Sequence, residues 1–152
     1  MTDDYEVYEK ECKVIREINK TYLAGFEKWL KNKGLAEKTI NKHVFNIDVY
    51  INNFLLYYDA LDVRRGCHEI YSYLGDWFIR KTMWSSCSSI KSTAASMKKF
   101  YAFLLENNVV EEKDYITVIE TIKDEMPEWL DEMKRYDEMS AEDYYNRINN
   151  ML

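Results

Sequence analysis

Hydrophobic side chains recur at steps of three and four residues along most of the chain, which is the spacing of one face of an α-helix. The pattern predicts a helix over residues 4–32, with a candidate break near 18–21, and further helices over 37–58 and 67–81. A fourth helix follows the serine run at 85–89 and ends near Glu106. Gly34 stands at a C-cap position after the first helix.

The C-terminal third continues with helical spacing but is rich in acids. The hydrophobic spacing over residues 113–125 predicts one helix. Pro127 fits the first turn of the next helix, because a proline there loses no intrahelical hydrogen bond. Ser140 with Asp143 resembles a capping box that would begin a last short helix. The interpretation is therefore several short helices after residue 110.

The scarcity of chain-breaking residues supports long helices. The 152 residues include four glycines and one proline, whereas an all-β chain needs many turn residues. A chain of this length fits one domain with a real core. We expect an all-α fold.

Three cysteines at wide spacings do not indicate a disulfide framework and suggest a reduced, intracellular protein. No apolar run approaches the length of a membrane span, and the acidic N-terminus does not resemble a signal peptide. The expected location is cytoplasmic, without a membrane partner.

Charge is unevenly distributed along the sequence. Residues 1–19 carry a net charge of −3, residues 20–100 carry +6, and residues 101–152 carry −9. A basic body between acidic ends suits a polyanionic ligand, because clustered lysines attract phosphates. Lysines that simply solvate helix surfaces are the competing interpretation.

Three segments of this body together resemble the N-terminal core-binding domain of tyrosine recombinases and phage integrases. They are Tyr22–Leu30, the Gly-Leu turn and helix start at 34–43, and the stretch 89–104 with its Phe100-Tyr101 pair. The sequence departs from the family at His43, where an aromatic is usual, and at Asn46, where Asp is common. The Asn-Pro that usually leads into the catalytic domain is missing after Val110.

The resemblance implies an all-α, four-helix SAM-like orthogonal bundle with an extended N-terminal helix and additional C-terminal acidic helices. It suggests one domain over 1–152, with the recombinase-like body at 20–108 and an acidic extension at 109–152. The family's core-binding domain clamps double-stranded DNA. By position, the resemblance implies a set of DNA-binding residues: Lys38, Thr39, Lys42, Ser89, Lys91, Ser92 and Lys98.

The sequence lacks the groups that recombinase chemistry requires. The family's catalytic half carries a His-x-x-Arg motif, whereas Asn46 follows His43 by three residues and Tyr71 follows His68. A tyrosine without preorganised positive charge does not catalyse phosphoryl transfer. We therefore expect no catalytic residues and no enzyme.

Cofactor and metal sites are not indicated either. Cys67 and His68 are adjacent, but a zinc site needs about four ligands at workable spacing. A structural cysteine and a surface histidine are the simpler interpretation. No phosphate-binding or dinucleotide-binding glycine motif is present. We predict no cofactor and no metal.

Two functions stay open at this point. The chain is either a non-catalytic DNA-binding relative of the core-binding domain, or a protein-interaction module that has lost DNA binding. The second would pair with a recombinase or with itself through its helices. In a modified form of the DNA-binding hypothesis, the acidic segment 111–143 folds against the basic body and weakens DNA binding.

Overall fold

The computed structural model describes residues 3–151, and every regular element in this range is helical, which confirms the predicted all-α class. The helices in chain order are α1 (Asp4–Asn32), α2 (37–54), α3 (Val63–Gly66), α4 (70–81), α5 (Cys87–Glu106) and α6 (Glu112–Met151). Two of them contain π-helical turns. Val49–Phe54 forms the end of α2, and Tyr73–Trp77 forms the middle of α4.

The turn from α1 to α2 forms as the sequence predicts. Gly34 has a φ of 82°, which a residue without a Cβ adopts at little cost. Its N–H bonds to the carbonyl of Lys31, and the N–H of Leu35 bonds to the carbonyl of Leu30. These two bonds form a Schellman motif, which satisfies the last carbonyls of α1.

The first helix is continuous, so the break considered near residues 18–21 is wrong. Ile18 is exposed, while its neighbour Asn19 is 1% exposed. The Asn19 amide donates to the carbonyl of Ile51 at 3.3 Å and to the side chain of Asn52 at 2.8 Å. The Tyr8 hydroxyl likewise donates to the carbonyl of Leu56. A polar residue therefore takes a core position because it binds the irregular end of α2.

The core is formed by all the long helices together. Phe26 of α1 packs edge-on against Phe100 of α5, with ring centroids 5.2 Å apart. The rings of Tyr50 in α2 and Tyr73 in α4 are tilted to each other, with centroids 4.7 Å apart. The helix predicted to run to residue 58 ends at Phe54, and Tyr58 is exposed.

Two buried tyrosines hold the short helix α3. Tyr50 donates to the carbonyl of Gly66 at 2.5 Å, and Tyr101 donates to the carbonyl of Val63 at 2.8 Å. A Cβ on Gly66 would collide with the Tyr101 hydroxyl oxygen. Glycine is therefore required here by close approach.

The acidic C-terminal segment is one helix of 40 residues, so the several helices predicted for it are a wrong interpretation. The helix passes through Pro127 without ending, and no new helix begins at residue 140. An interior proline costs about 3 kcal/mol, because its ring removes one hydrogen bond and crowds the preceding turn. Val118, Ile122, Trp129 and Met133 all face the core at helical spacing on both sides of the proline. Their burial offsets that cost.

Trp129 is the largest of these core contacts of α6. It is 1% exposed and packs against Gly75 in the π-helical part of α4. A Cβ at Gly75 would lie 2.9 Å from the indole ring. The first half of α6 is therefore fitted closely to the body, while residues 137–139 and 141–151 are exposed.

Candidate nucleic-acid interface

A line of buried and half-buried polar side chains joins α2 to α5. His43 Nδ1 lies 2.7 Å from Ser96 Oγ. The Asn46 amide donates to Ser96 Oγ at 3.0 Å and to Ser92 Oγ at 3.3 Å. Ser96 Oγ also donates to the carbonyl of Ser92 at 3.1 Å. These contacts of Ser96 are compatible when His43 carries its proton on Nδ1, because the Ser96 hydroxyl then accepts from His43 and Asn46 and donates its own hydrogen to the Ser92 carbonyl. We call His43, Asn46, Ser92 and Ser96 the polar seam.

The polar seam carries lysines at its solvent side. Burial lowers the pKa of His43, and the positive charges of Lys42 and Lys99 lower it further. Both lysines, one from each helix, are therefore close enough to act on the same imidazole. The seam thus joins the basic part of α2 to the basic part of α5.

The predicted lysines are all exposed: Lys38, Lys42, Lys91 and Lys98. Within residues 3–151 none of the four forms an ion pair with a carboxylate. Lys38 and Lys42 lie one turn apart on α2, and Lys91 and Lys98 lie two turns apart on α5.

The predicted hydroxyl residues lie at or near helix starts and differ in their partners. Thr39 is half-buried in the first turn of α2, which begins at Ala36 without a side-chain cap. Ser89 forms a capping box with Ser86: the Ser89 N–H donates to Ser86 Oγ at 3.0 Å, and the Ser86 N–H donates to Ser89 Oγ at 2.8 Å. Ser92 belongs to the polar seam. Ser89 therefore has a structural role whether or not it also binds a ligand.

An exposed aromatic pair beside these residues was not anticipated from the sequence. Phe45 of α2 and Trp84, in the loop before α5, lie 5.6 Å apart by ring centroids and are 50% and 45% exposed. The Trp84 carbonyl accepts a hydrogen bond from Ser89 Oγ at 3.0 Å. Met83 beside it is fully exposed. Large apolar side chains in a loop, outside any helical stripe, were the signal in the sequence.

The acids of α6 pair with other bases. Arg80 Nε bonds to Asp76 at 2.6 Å within α4, and its guanidinium lies 3.9 Å from Glu132 of α6. Arg135 pairs with Glu128 and Glu132 inside α6. Glu128 and Glu132 of α6 therefore pair with arginines of α4 and α6 rather than with the four lysines.

The buried tyrosines are unsuited to nucleophilic chemistry. Burial raises the pKa values of Tyr50, Tyr73 and Tyr101 above the ordinary value. A raised pKa disfavours the phenolate that would attack a phosphate. The hydroxyls of Tyr50 and Tyr101 instead hold α3.

Comparison with known protein families gives a match for the N-terminal third of the chain. Residues 5–53 match the family model of the phage integrase SAM-like domain. The resemblance to the N-terminal SAM-like domain of tyrosine recombinases is therefore confirmed over α1 and α2. The match is to that domain and not to a catalytic domain.

The matched range includes two of the three segments on which the resemblance rested, Tyr22–Leu30 and residues 34–43. The third, over 89–104 in α5, lies outside it. No curated protein and no solved structure gives a match. None of the helices in the described range has an apolar stretch long enough to cross a bilayer.

Proposed function

We propose that this chain is a non-catalytic DNA-binding protein related to the core-binding domain of site-specific recombinases. Double-stranded DNA is the proposed ligand. The proposed contact residues are Lys38, Thr39, Lys42, Ser89, Lys91, Ser92 and Lys98. One domain over 1–152, with a body at 20–108 and an extension at 109–152, is part of the same proposal. The burial of Trp129 in the common core supports the single domain.

The observation that carries the proposal is the set of unpaired lysines on the two helices that the polar seam joins. The chain has a net charge of −6, yet its acids do not cover Lys38, Lys42, Lys91 or Lys98 within the described residues. Exposed lysines without partners bind phosphates with release of counterions. The uncapped start of α2 adds N–H groups and a partial positive charge beside Lys38 and Thr39.

The test is a fluorescence anisotropy titration of the full chain with duplex DNA at several salt concentrations. We expect affinity to fall with salt. Lys42→Ala and Lys91→Ala should each reduce the slope of log affinity against log salt by about one phosphate contact.

Matched controls are available on α6. Lys123 and Lys134 are exposed and form no ion pair with any residue in 3–151. Lys123→Ala and Lys134→Ala should leave the salt slope unchanged. If all four substitutions reduce the salt slope equally, the effect is one of total charge and not of these contacts, which contradicts the proposal. Absence of DNA binding at low salt would also reject it.

A protein-interaction module is the second candidate function. The end of α6 favours it, because Met139, Tyr144, Tyr145, Ile148 and Met151 are all exposed there. The first half of α1 likewise exposes Tyr5, Val7 and Val14. Contiguous exposed apolar residues mark interaction sites. The partner would be a recombinase or a second copy. Light scattering coupled to size-exclusion chromatography tests the second case, and a strict monomer at high concentration would reject it.

Inhibition by the acidic segment requires a test that keeps the fold. Deleting residues 111–143 would remove Val118 and Trp129 from the core. Neutral substitutions at the exposed end, Glu138→Gln with Glu142→Gln and Asp143→Asn, remove charge without touching the core. Tighter DNA binding by this variant at low salt would support inhibition, and unchanged affinity would reject it.

A further inference from the structure

Three side chains with metal-binding atoms meet where the segment after α3 approaches the start of α6. The ligand atoms of Cys67, His68 and Asp114 all lie within 4.8 Å of one another. We propose that these residues bind Zn²⁺, with a water molecule in the fourth position. This site is separate from the polar seam and does not depend on DNA binding.

The distances allow a tetrahedral ion after a small adjustment. Zinc bonds of about 2.0–2.3 Å place neighbouring ligand atoms roughly 3.3–3.6 Å apart. His68 Nε2 lies 3.9 Å from Asp114 Oδ1. The His68 side chain is 58% exposed, so a rotation of its ring closes this gap without disturbing the core.

Two of the ligands are already oriented by the backbone. The Cys67 thiol lies at the end of α3, and its Sγ donates to the carbonyl of Arg64 at 3.0 Å. One oxygen of Asp114, Oδ2, accepts from the N–H of Glu111 at 3.1 Å. The other oxygen, Oδ1, is left facing His68. Hydrogen bonds of this kind fix a carboxylate for metal binding.

The donor set suits zinc in charge and in softness. When the ion binds, the Cys67 thiol releases its proton to solvent and the thiolate joins the metal. A thiolate and a carboxylate then carry a charge of about −2, which balances a divalent ion beside a neutral imidazole. Sulfur and nitrogen donors prefer zinc to magnesium or calcium, which take oxygen ligands.

The site's position gives it a structural role. Tyr50 and Tyr101 already hold α3 to the core. The ion would join the next residues, Cys67 and His68, to Asp114 in the first turn of α6. It would thereby fasten the start of the acidic helix to the body.

Zinc and cobalt binding to the untagged, reduced full chain provide the test. A chelator-competition titration should give one Zn²⁺ per chain. Loading with Co²⁺ should give the near-ultraviolet absorption of a thiolate–cobalt bond. Cys67→Ser and Asp114→Asn should each lower zinc affinity at least tenfold, and Cys67→Ser should abolish the cobalt–thiolate band.

Matched variants separate the site from nonspecific binding and from misfolding. Cys87→Ser and His43→Gln change the same residue types elsewhere and should leave zinc affinity unchanged. Circular dichroism of each variant without metal establishes that it is folded. His68→Asn keeps Cys67 and Asp114, and it replaces Cys67→Ser in the test if that variant does not fold. Absence of stoichiometric zinc binding, or affinity unchanged in Asp114→Asn and His68→Asn, would overturn the proposal.

Discussion

His43 Nδ1 lies 2.7 Å from Ser96 Oγ, and this contact joins α2 to α5 inside the protein. His43 and Asn46 are two of the departures from the recombinase pattern, and both contact Ser96. These two departures therefore form one local arrangement. A histidine and an amide need polar partners when buried, and α5 supplies them through serines.

Removing the shared hydroxyl tests the polar seam. Ser96→Ala removes the hydroxyl that contacts His43 Nδ1 and the shorter of the two hydrogen bonds of the Asn46 amide, and a buried polar group left without a partner costs about 1–3 kcal/mol. We expect a clear loss in the free energy of unfolding, measured by urea denaturation. Ser88→Ala, at an exposed position of the same helix, is the control and should have little effect. Equal stabilities of the two variants would show that the seam contributes nothing.

The protonation of His43 should make stability depend on pH. Its pKa is lowered in the folded protein, first by burial and then by Lys42 and Lys99. The unfolded chain, with a pKa of about 6.5, therefore binds the proton more readily. Folding stability is fully present above that pH and is lost as the pH falls towards the lowered pKa.

Urea midpoints measured from about pH 8 to pH 5 report this dependence. His43→Gln should flatten it, whereas His68→Gln, measured with a chelator, should retain it because His68 is exposed. If His43→Gln shows the same pH dependence as the natural chain, the buried imidazole is not its source.

Gly75 should be required for the docking of α6. An added methyl group would lie 2.9 Å from the Trp129 indole. Overpacking of this kind costs about 1–3 kcal/mol, and the better helix propensity of alanine offsets about 1 kcal/mol of it. Gly75→Ala should therefore lower stability in thermal unfolding.

A double-mutant cycle isolates this contact. In a Trp129→Leu background the methyl group has room, so Gly75→Ala should become neutral or stabilising. Additive effects of the two substitutions would mean that the glycine acts through backbone flexibility instead.

Pro127→Ala distinguishes a continuous α6 from two helices. In a continuous helix alanine restores the hydrogen bond to the carbonyl of Lys123 and relieves the ring clash, which is worth up to about 3 kcal/mol. We expect a higher midpoint of thermal unfolding. Unchanged or lower stability would instead indicate a helix that begins at Pro127, where proline is favourable.

The exposed aromatic pair should contribute to DNA affinity if the proposed function holds. Trp84 contacts Phe45 and lies next to Ser89. Trp84→Ala removes apolar contact but no charge, so affinity should fall while the salt slope stays constant. Tyr71→Ala, an exposed aromatic on α4, serves as the control. A changed salt slope, or equal losses from both variants, would contradict a direct contact by Trp84.

The sequence pattern predicted only some features of the candidate site residues. Lys38 and Lys42 on α2 lie inside the family match, and their exposure follows from the polar face of an amphipathic helix. Lys99 belongs to the basic body at residues 20–100, but its effect on His43 depends on the packing of α5 against α2. The partners of Asn46 lie on another helix, which no local spacing reveals.

Local periodicity by itself determined which segments are helical. Hydrophobic spacing of three and four residues is a property of one or two helical turns, and few Gly or Pro residues interrupt it. It also placed Gly34, where the chain needs a positive φ. Tertiary structure decided what depends on distant partners. Asn19 is buried because Ile51 offers a carbonyl, α6 continues past Pro127 because Trp129 has a site beside Gly75, and Asp114 reaches Cys67 and His68 because α6 begins there. Each of these depends on contacts between residues far apart in sequence, and the pattern of a single helix carries no information about them.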